Sequence, residues 1–152
     1  MKPQAWQLES AVYPWIESIE TRFGDIDMFG HLNNVAVARL FEEVRVRFQF
    51  KQYGLDMLTP ESLKKLRMVV AQSNFSYLQE GDYPAPIRCG AGLAKLGGSS
   101  YVLWATLWQN GRAMAFQECV MVVMNESGPI QLPEALRQQM QQWMIIKPAT
   151  CL

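Results

Sequence analysis

Across residues 34–54 apolar side chains fall at Val37, Leu40, Phe41, Val44 and Phe48, one stripe of a helix with a 3.6-residue period. Arg39, Glu42, Glu43, Arg45 and Arg47 lie between them. Asn33 precedes the stripe as an N-cap, and Gly54 follows it as a C-terminal stop, so one long helix is predicted between them. Upstream, residues 15–23 alternate: Trp15, Glu17, Ile19, Thr21 and Phe23 fall on one side, Ile16, Ser18, Glu20 and Arg22 on the other. This predicts a strand. Downstream, Thr59-Pro60 reads as the cap and first position of a short helix. Four β segments follow at about 67–78, 85–96, 100–109 and 112–124. Gly81-Asp82-Tyr83-Pro84, Gly97-Gly98-Ser99 and Asn110-Gly111 separate them. The last is a strong hairpin signal, because its mirror-type turn needs positive φ at both central residues. The run 101–108 is apolar on both faces, so one face is expected to cover a helix and the other a further layer or subunit. Pro133 opens a polar C-terminal helix, and residues 1–12, with little pattern, are expected to be loose. Strand, long helix and a four-strand meander make an α+β fold, an antiparallel sheet with one helix along its face.

Length and composition then narrow the class. With 152 residues and 49% apolar content, the chain is expected to form a single domain (1–152) with a sizeable core. Fourteen basic and fourteen acidic residues cancel, so no global field draws it to nucleic acid or an anionic membrane. A local basic patch for a phosphorylated ligand remains compatible with that balance. Cys89, Cys119 and Cys151 are odd in number and scattered, which fits reduced thiols in a cytoplasmic protein rather than a disulfide frame or a metal site. No leader pattern opens the chain and no apolar run reaches the roughly 18 residues of a membrane span, so the expected location is cytoplasmic.

Chemistry concentrates just before the long helix. Asp25, Asp27, Gly30, His31, Asn33 and Asn34 crowd into ten residues. They lead into a helix N-terminus, where unpaired N–H groups and the macrodipole favour negative charge. At Asp27-Met28-Phe29-Gly30-His31-Leu32-Asn33-Asn34 the chain resembles the hotdog-fold acyl-CoA thioesterases of the 4-hydroxybenzoyl-CoA thioesterase type. The resemblance continues through Phe41-Glu42-Glu43-Val44-Arg45, Phe75-Ser76-Tyr77-Leu78, Gly98-Ser99-Ser100 and Leu132-Pro133-Glu134. One departure is Val37, where relatives often carry a tyrosine, which implies a wider or more apolar acyl pocket.

The resemblance implies a hotdog fold, in which an antiparallel sheet wraps one long central helix. It also implies hydrolysis of an acyl-CoA thioester to free acid and CoA, with no resident cofactor or metal. Asp27 matches the residue that attacks the thioester carbonyl or activates water; read alone, it is equally an Asx-turn former. Asp25 is its competitor. The backbone amide of Asn34 matches the donor that stabilises the oxyanion. Gly30 would give close approach or positive φ. His31 is either a minor member of the site or a hydrogen-bonded structural residue. Gly98 and Ser99 correspond to a segment flanking the pantetheine arm, although read from the residues alone they are a plain turn. Glu118, interrupting an apolar strand, is given no catalytic role. Two alternatives stand beside this reading, an acyl-carrier-protein thioesterase and a non-catalytic acyl-thioester-binding protein. A homodimer or homotetramer with the site at an interface is expected.

Overall fold

The computed structural model describes residues 2–54 and 59–151. Helix α1 (Asn34–Tyr53) begins and ends as the sequence signals indicate. The Asn33 side-chain oxygen accepts from the Ala36 N–H at 2.7 Å, and Gly54 closes the far end at φ 76° while donating to Phe50 O at 2.8 Å. The predicted stripe is the buried one, with Leu40, Phe41, Val44 and Phe48 almost wholly enclosed. Between them the exposed pairs Glu43–Arg47 (2.7 Å) and Glu42–Arg45 (3.1 Å) line the outer side of the helix. A short helix α2 (Pro60–Lys65) follows, capped by Thr59.

The strands are β1 (Trp15–Ile19), β2 (Arg67–Tyr77), β3 (Ile87–Leu96), β4 (Ser100–Gln109), β5 (Arg112–Asn125) and the two-residue β6 (Gly128–Pro129). They form one antiparallel sheet in the order β1-β3-β4-β5-β2, with β6 paired to the end of β5. Asn110 and Gly111 take φ 52° and 76°, the mirror-type turn that joins β4 to β5. The inner face presents Ile87, Cys89, Ala91 and Leu93 of β3, Leu103, Ala105 and Leu107 of β4, and Cys119, Met121 and Val123 of β5 to α1. Ring contacts at 5.7 Å, Trp15 with Phe48 and Phe41 with Phe75, tie the helix to β1 and β2. A curled antiparallel sheet around one long helix is the hotdog arrangement. Helix α3 (Glu134–Gln141) turns Leu136 and Met140 into the same core. Among the described residues no helix is long and apolar enough to cross a membrane.

Two expectations are corrected. The first strand stops at Ile19 instead of reaching residue 23. Its partner β3 begins at Ile87, opposite Ile19, so no ladder exists beyond that point. The chain tightens instead into a 3-10 turn (Phe23–Asp25), which leaves Phe23 exposed. The second concerns residues 1–12, of which residue 1 lies outside the described residues and residues 2–12 are not loose: Ala5–Leu8 and Ser10–Val12 are 3-10 turns laid across the outer sheet face. Val12 and Tyr13 are buried there with Trp108 and Ile145, while Trp6 packs on Trp104 at 5.7 Å. Tyr13 shares a hydrogen bond with Thr106 at 2.6 Å, and the Trp108 indole N–H donates to Leu8 O at 2.7 Å. The further layer expected over 101–108 is therefore the chain's own N-terminal segment. Glycines 90 and 92 make room for it, since a Cβ there would strike the Trp108 ring or Pro14. Glu118 accepts from the Trp104 indole at 2.8 Å on this same face, a structural role.

Candidate active site

The loop 25–33 is closed at its base and folded back on itself. Asp25 O accepts from both the backbone N–H (2.9 Å) and the side-chain amide (3.0 Å) of Asn33. Ile26 and Leu32 form a bridge, Asp27 N–H donates to His31 O at 2.9 Å, and Gly30 turns the chain at φ 81°. Gly30 thus fills the positive-φ role. Asp27 stands on the inner rung of this turn. Its Oδ1 accepts from the N–H groups of Phe29 (2.9 Å) and, weakly, His31 (3.4 Å). That is an Asx-type turn, and it commits one carboxylate oxygen while Oδ2 keeps no partner among the described residues.

Asp27 opens into a pocket of about 320 Å³ lined by Phe29, His31, Leu32, Asn34, Val37 and Tyr77, and closed behind by Gly81, Met114 and Ala115. In the first turn of α1, Ala36 N–H is taken by the Asn33 cap and Val37 N–H by Asn33 O. The N–H groups of Asn34 and Val35 have no acceptor among the described residues. The pocket therefore brings together an acceptor-rich carboxylate and a helix start with donors to spare. Val37 makes the wall apolar where a tyrosine would have been polar.

The two aspartates are chemically separated. Asp25 is only 3% exposed, and both its oxygens are occupied. Arg39 Nη2 donates to Oδ1 and Oδ2 at 2.9 and 2.8 Å, the Arg22 N–H donates to Oδ2 at 2.8 Å, and Arg22 Nη2 lies 3.3 Å from Oδ1. Burial pushes the carboxyl group upward in pKa, but the Arg22 N–H and the two guanidinium groups outweigh it and hold it below the ordinary carboxylate value. Asp25 does not line the pocket. It is structural, whereas Asp27 lines the pocket.

His31 lies at the lip of the pocket, with Nε2 3.1 Å from Glu80 and Nδ1 3.4 Å from Asp82. It links the loop to the opposite wall, where Leu32 N–H also donates to Gly81 O at 2.8 Å. Gly81 is tightly placed, because a Cβ would run into Met114 and Leu32. The structure does not bring Gly98 and Ser99 to Asp27 within the chain. Ser99 O bonds Val123 N–H, eight residues along β5 from the pocket residue Ala115, or about 26 Å at strand rise. Among the described residues no group of three or more His, Cys, Asp or Glu side chains could hold a metal ion.

Sequence reasoning passed over Tyr77 as a site residue. Its hydroxyl donates to Asn34 O at 3.4 Å and its ring stacks on Phe75 at 6.3 Å, so it walls the pocket opposite Val37. An aromatic residue at the end of β2, just before the Gly81 turn, was the available signal. Arg39 was also passed over, since it read as one of several charges on the solvent side of the helix.

Comparison with known proteins gives the same architecture. The PA5185 protein of Pseudomonas aeruginosa PAO1 superposes with a TM-score of 0.78 at 27% identity, covering 90% of this chain and 95% of its own. A thioesterase from Thermus thermophilus, solved with coenzyme A and Zn, gives 0.73 at 28% identity, covering 86% and 94%. The uncharacterized protein YsmA of Bacillus subtilis (strain 168) is 32% identical over 100 residues, 66% of this chain. That match spans 63% of the length of YsmA. Residues 21–140, from the turn before Asp27 to the end of the core part of α3, match the family described as the Thioesterase-like superfamily. A hotdog sheet wrapped around a helix, with a carboxylate and a helix start sharing one pocket, is thus accompanied by a family match over most of its length, and the chain belongs to the Thioesterase-like superfamily.

Proposed function

We infer that the protein hydrolyses an acyl-CoA thioester, converting R–CO–S–CoA and water to R–COOH and HS–CoA. The observation that carries this reading is the shared pocket: Asp27 and Asn34, whose backbone N–H has no acceptor among the described residues, line the same space. The structural neighbour solved with coenzyme A supports CoA as the thiol half of the substrate.

The thioester carbonyl enters between Asp27 and the start of α1. Asp27 either attacks the carbonyl carbon or takes a proton from the attacking water, and both roles use the lone pairs of Oδ2. Negative charge develops on the carbonyl oxygen and is met by the Asn34 N–H, a fixed dipole that needs no reorganisation; such a donor is typically worth about 3–4 kcal/mol of barrier. The C–S bond breaks and CoA leaves as the thiolate, which takes up a proton to give HS–CoA; where Asp27 is the nucleophile, water then hydrolyses the acyl–aspartyl anhydride to R–COOH and restores the carboxylate. The acyl group lies against Val37, Leu32 and Met114, which favours an apolar chain.

A second copy of the chain completes the mouth of the site. Phe29 (78% exposed) lines the pocket, and Met28 (91%) and Val35 (80%), close to it in the loop and the first helical turn, are exposed apolar side chains as well, a rim that water covers poorly. Strand β2 pairs with β5 on one side and with no described strand on the other. An eleven-residue open edge beside an apolar rim suits antiparallel pairing with its own copy. Light scattering at micromolar protein should give at least a dimer, and a monomer mass overturns that part of the reading.

The functional test is thiol release with short, long, branched and aromatic acyl-CoAs. Turnover with at least one class, abolished by Asp27→Asn, is the expected result. A folded protein that releases no thiol from any of them overturns it.

A further inference from the structure

We propose that Asp25 and Arg39 act as a positioning pair that fixes where the Asp27 carboxylate stands, and so set the rate through Asp27 without touching substrate. The inference rests on the hydrolytic reading above.

Three separate pieces of chain meet at Asp25, two at its carboxylate and one at its backbone carbonyl. Arg39 reaches it from α1, six residues or about 9 Å along the helix from Asn33. Arg22 reaches it from the turn before the loop, through its backbone N–H and its guanidinium. The backbone carbonyl of Asp25 accepts from both the backbone N–H and the side-chain amide of Asn33, whose own side-chain oxygen caps α1. Asp25 therefore locks the loop's first residue to its last and to the helix body at once. Asp27 follows two residues later, held by the Ile26–Leu32 bridge and by its N–H bond to His31 O.

Burial makes this more than a surface ion pair. An exposed Lys or Arg partner contributes little because water competes for both ends. Asp25 is out of water, so an unpaired carboxylate there would be strongly unfavourable, although the Arg39 and Arg22 side chains that pair with it are 42% and 69% exposed. Neither Asp25 nor Arg39 lines the pocket, which separates this role from substrate binding. Reaction geometry is sensitive to such support, since about 1 Å of misplacement from a distant change can cost on the order of a hundredfold in rate.

The test uses Arg39→Gln, Arg39→Lys and the neutral pair Asp25→Asn/Arg39→Gln, each checked by circular dichroism. The double variant keeps hydrogen-bonding capacity without leaving a buried charge, so it carries the test if Arg39→Gln fails to fold. The expected result is a kcat lowered about ten- to a hundredfold in Arg39→Gln with KM for acyl-CoA unchanged, partly restored in Arg39→Lys or in the neutral pair. In an Asp27→Asn background the same change should lower the residual rate no further. Hydrogen exchange of the 26–32 amides should rise in the variant while the β4 and β5 amides keep their protection. Equal losses with and without Asp27, a raised KM at constant kcat, or unchanged exchange at 26–32 would each overturn the pair's role. A wild type that releases no thiol refutes the hydrolytic reading instead, and the exchange measurement then still decides whether the pair holds the loop.

Discussion

Two glycine-bearing turns flank the inner sheet face at opposite ends. One, at 25–33, leads into α1; the other, at 97–99, joins β3 to β4. In the β3–β4 turn all three carbonyls are taken: Gly97 O by the Arg137 guanidinium at 2.7 Å, Gly98 O by Leu132 N–H at 2.7 Å, and Ser99 O by Val123 N–H at 2.9 Å. The 25–33 turn is as firmly tied at its base, yet it ends with one carboxylate oxygen and two helix N–H groups uncommitted among the described residues. Buried polar groups are nearly always paired, so a turn that consumes its own groups is scaffold. The turn that is rigid and still has donors and an acceptor left is the one the hydrolytic proposal uses.

The sharpest way to break this comparison is Asp27→Asn. Its amide keeps the Asx-turn bond from Phe29 N–H but can neither attack nor accept a proton as a carboxylate does. Thiol release should fall by at least ~10²–10⁴-fold with an unchanged circular dichroism spectrum. Retention of most of the activity would remove Asp27 from the chemistry.

Next in size is an acid effect at the base of the same turn. The Asp25 carboxyl is held below its ordinary value, so its stabilising contribution is complete above the unfolded value of about 3.9 and is lost as pH falls through the lower folded value. Urea unfolding from neutral pH downward should show the wild type's advantage over Asp25→Asn constant at first, then shrinking below about pH 4. Curves that stay parallel to the lowest pH would contradict the ion pairing.

A smaller effect is expected at the other turn. Arg137→Ala removes the donor to Gly97 O and should cost about 0.5–1.5 kcal/mol in thermal or urea unfolding, with kcat unaffected. The smallest is Ser99→Ala, which should leave activity within a factor of about two, the range of an ordinary surface change. A hundredfold loss there would mean that the partner copy carries its β3–β4 turn to the site, and would move that turn from scaffold to function.

The elements legible in the sequence were those governed by neighbours in the chain. Asn33 and Gly54 bound α1 because a cap and a positive-φ stop act within one turn of helix. The Asn110-Gly111 hairpin and the buried stripe Val37, Leu40, Phe41, Val44 and Phe48 followed from the same short-range rules. Asp27, Gly30 and Asn34 could be named as a group because they lie within eight residues. Tyr77 and Arg39 could not, since each gains its role from a contact 43 or 14 residues away.

The N-terminal segment makes the same point at larger scale. Residues 2–13 have no period because they form single 3-10 turns, whose order comes from the outer face of β4 rather than from their own pattern. The choice between two aspartates was likewise tertiary. Asp25 and Asp27 are the same residue type two positions apart, and only burial beside Arg39 makes one of them structure and leaves the other its lone pairs. By itself the sequence determined the helix, the meander and the polar turn that leads into the helix, through capping, periodicity and turn preference. Which carboxylate faces the pocket, what covers the outer sheet and how far Gly98 and Ser99 stand from Asp27 were decided by packing, because desolvation and long-range hydrogen bonds exist only once distant segments meet.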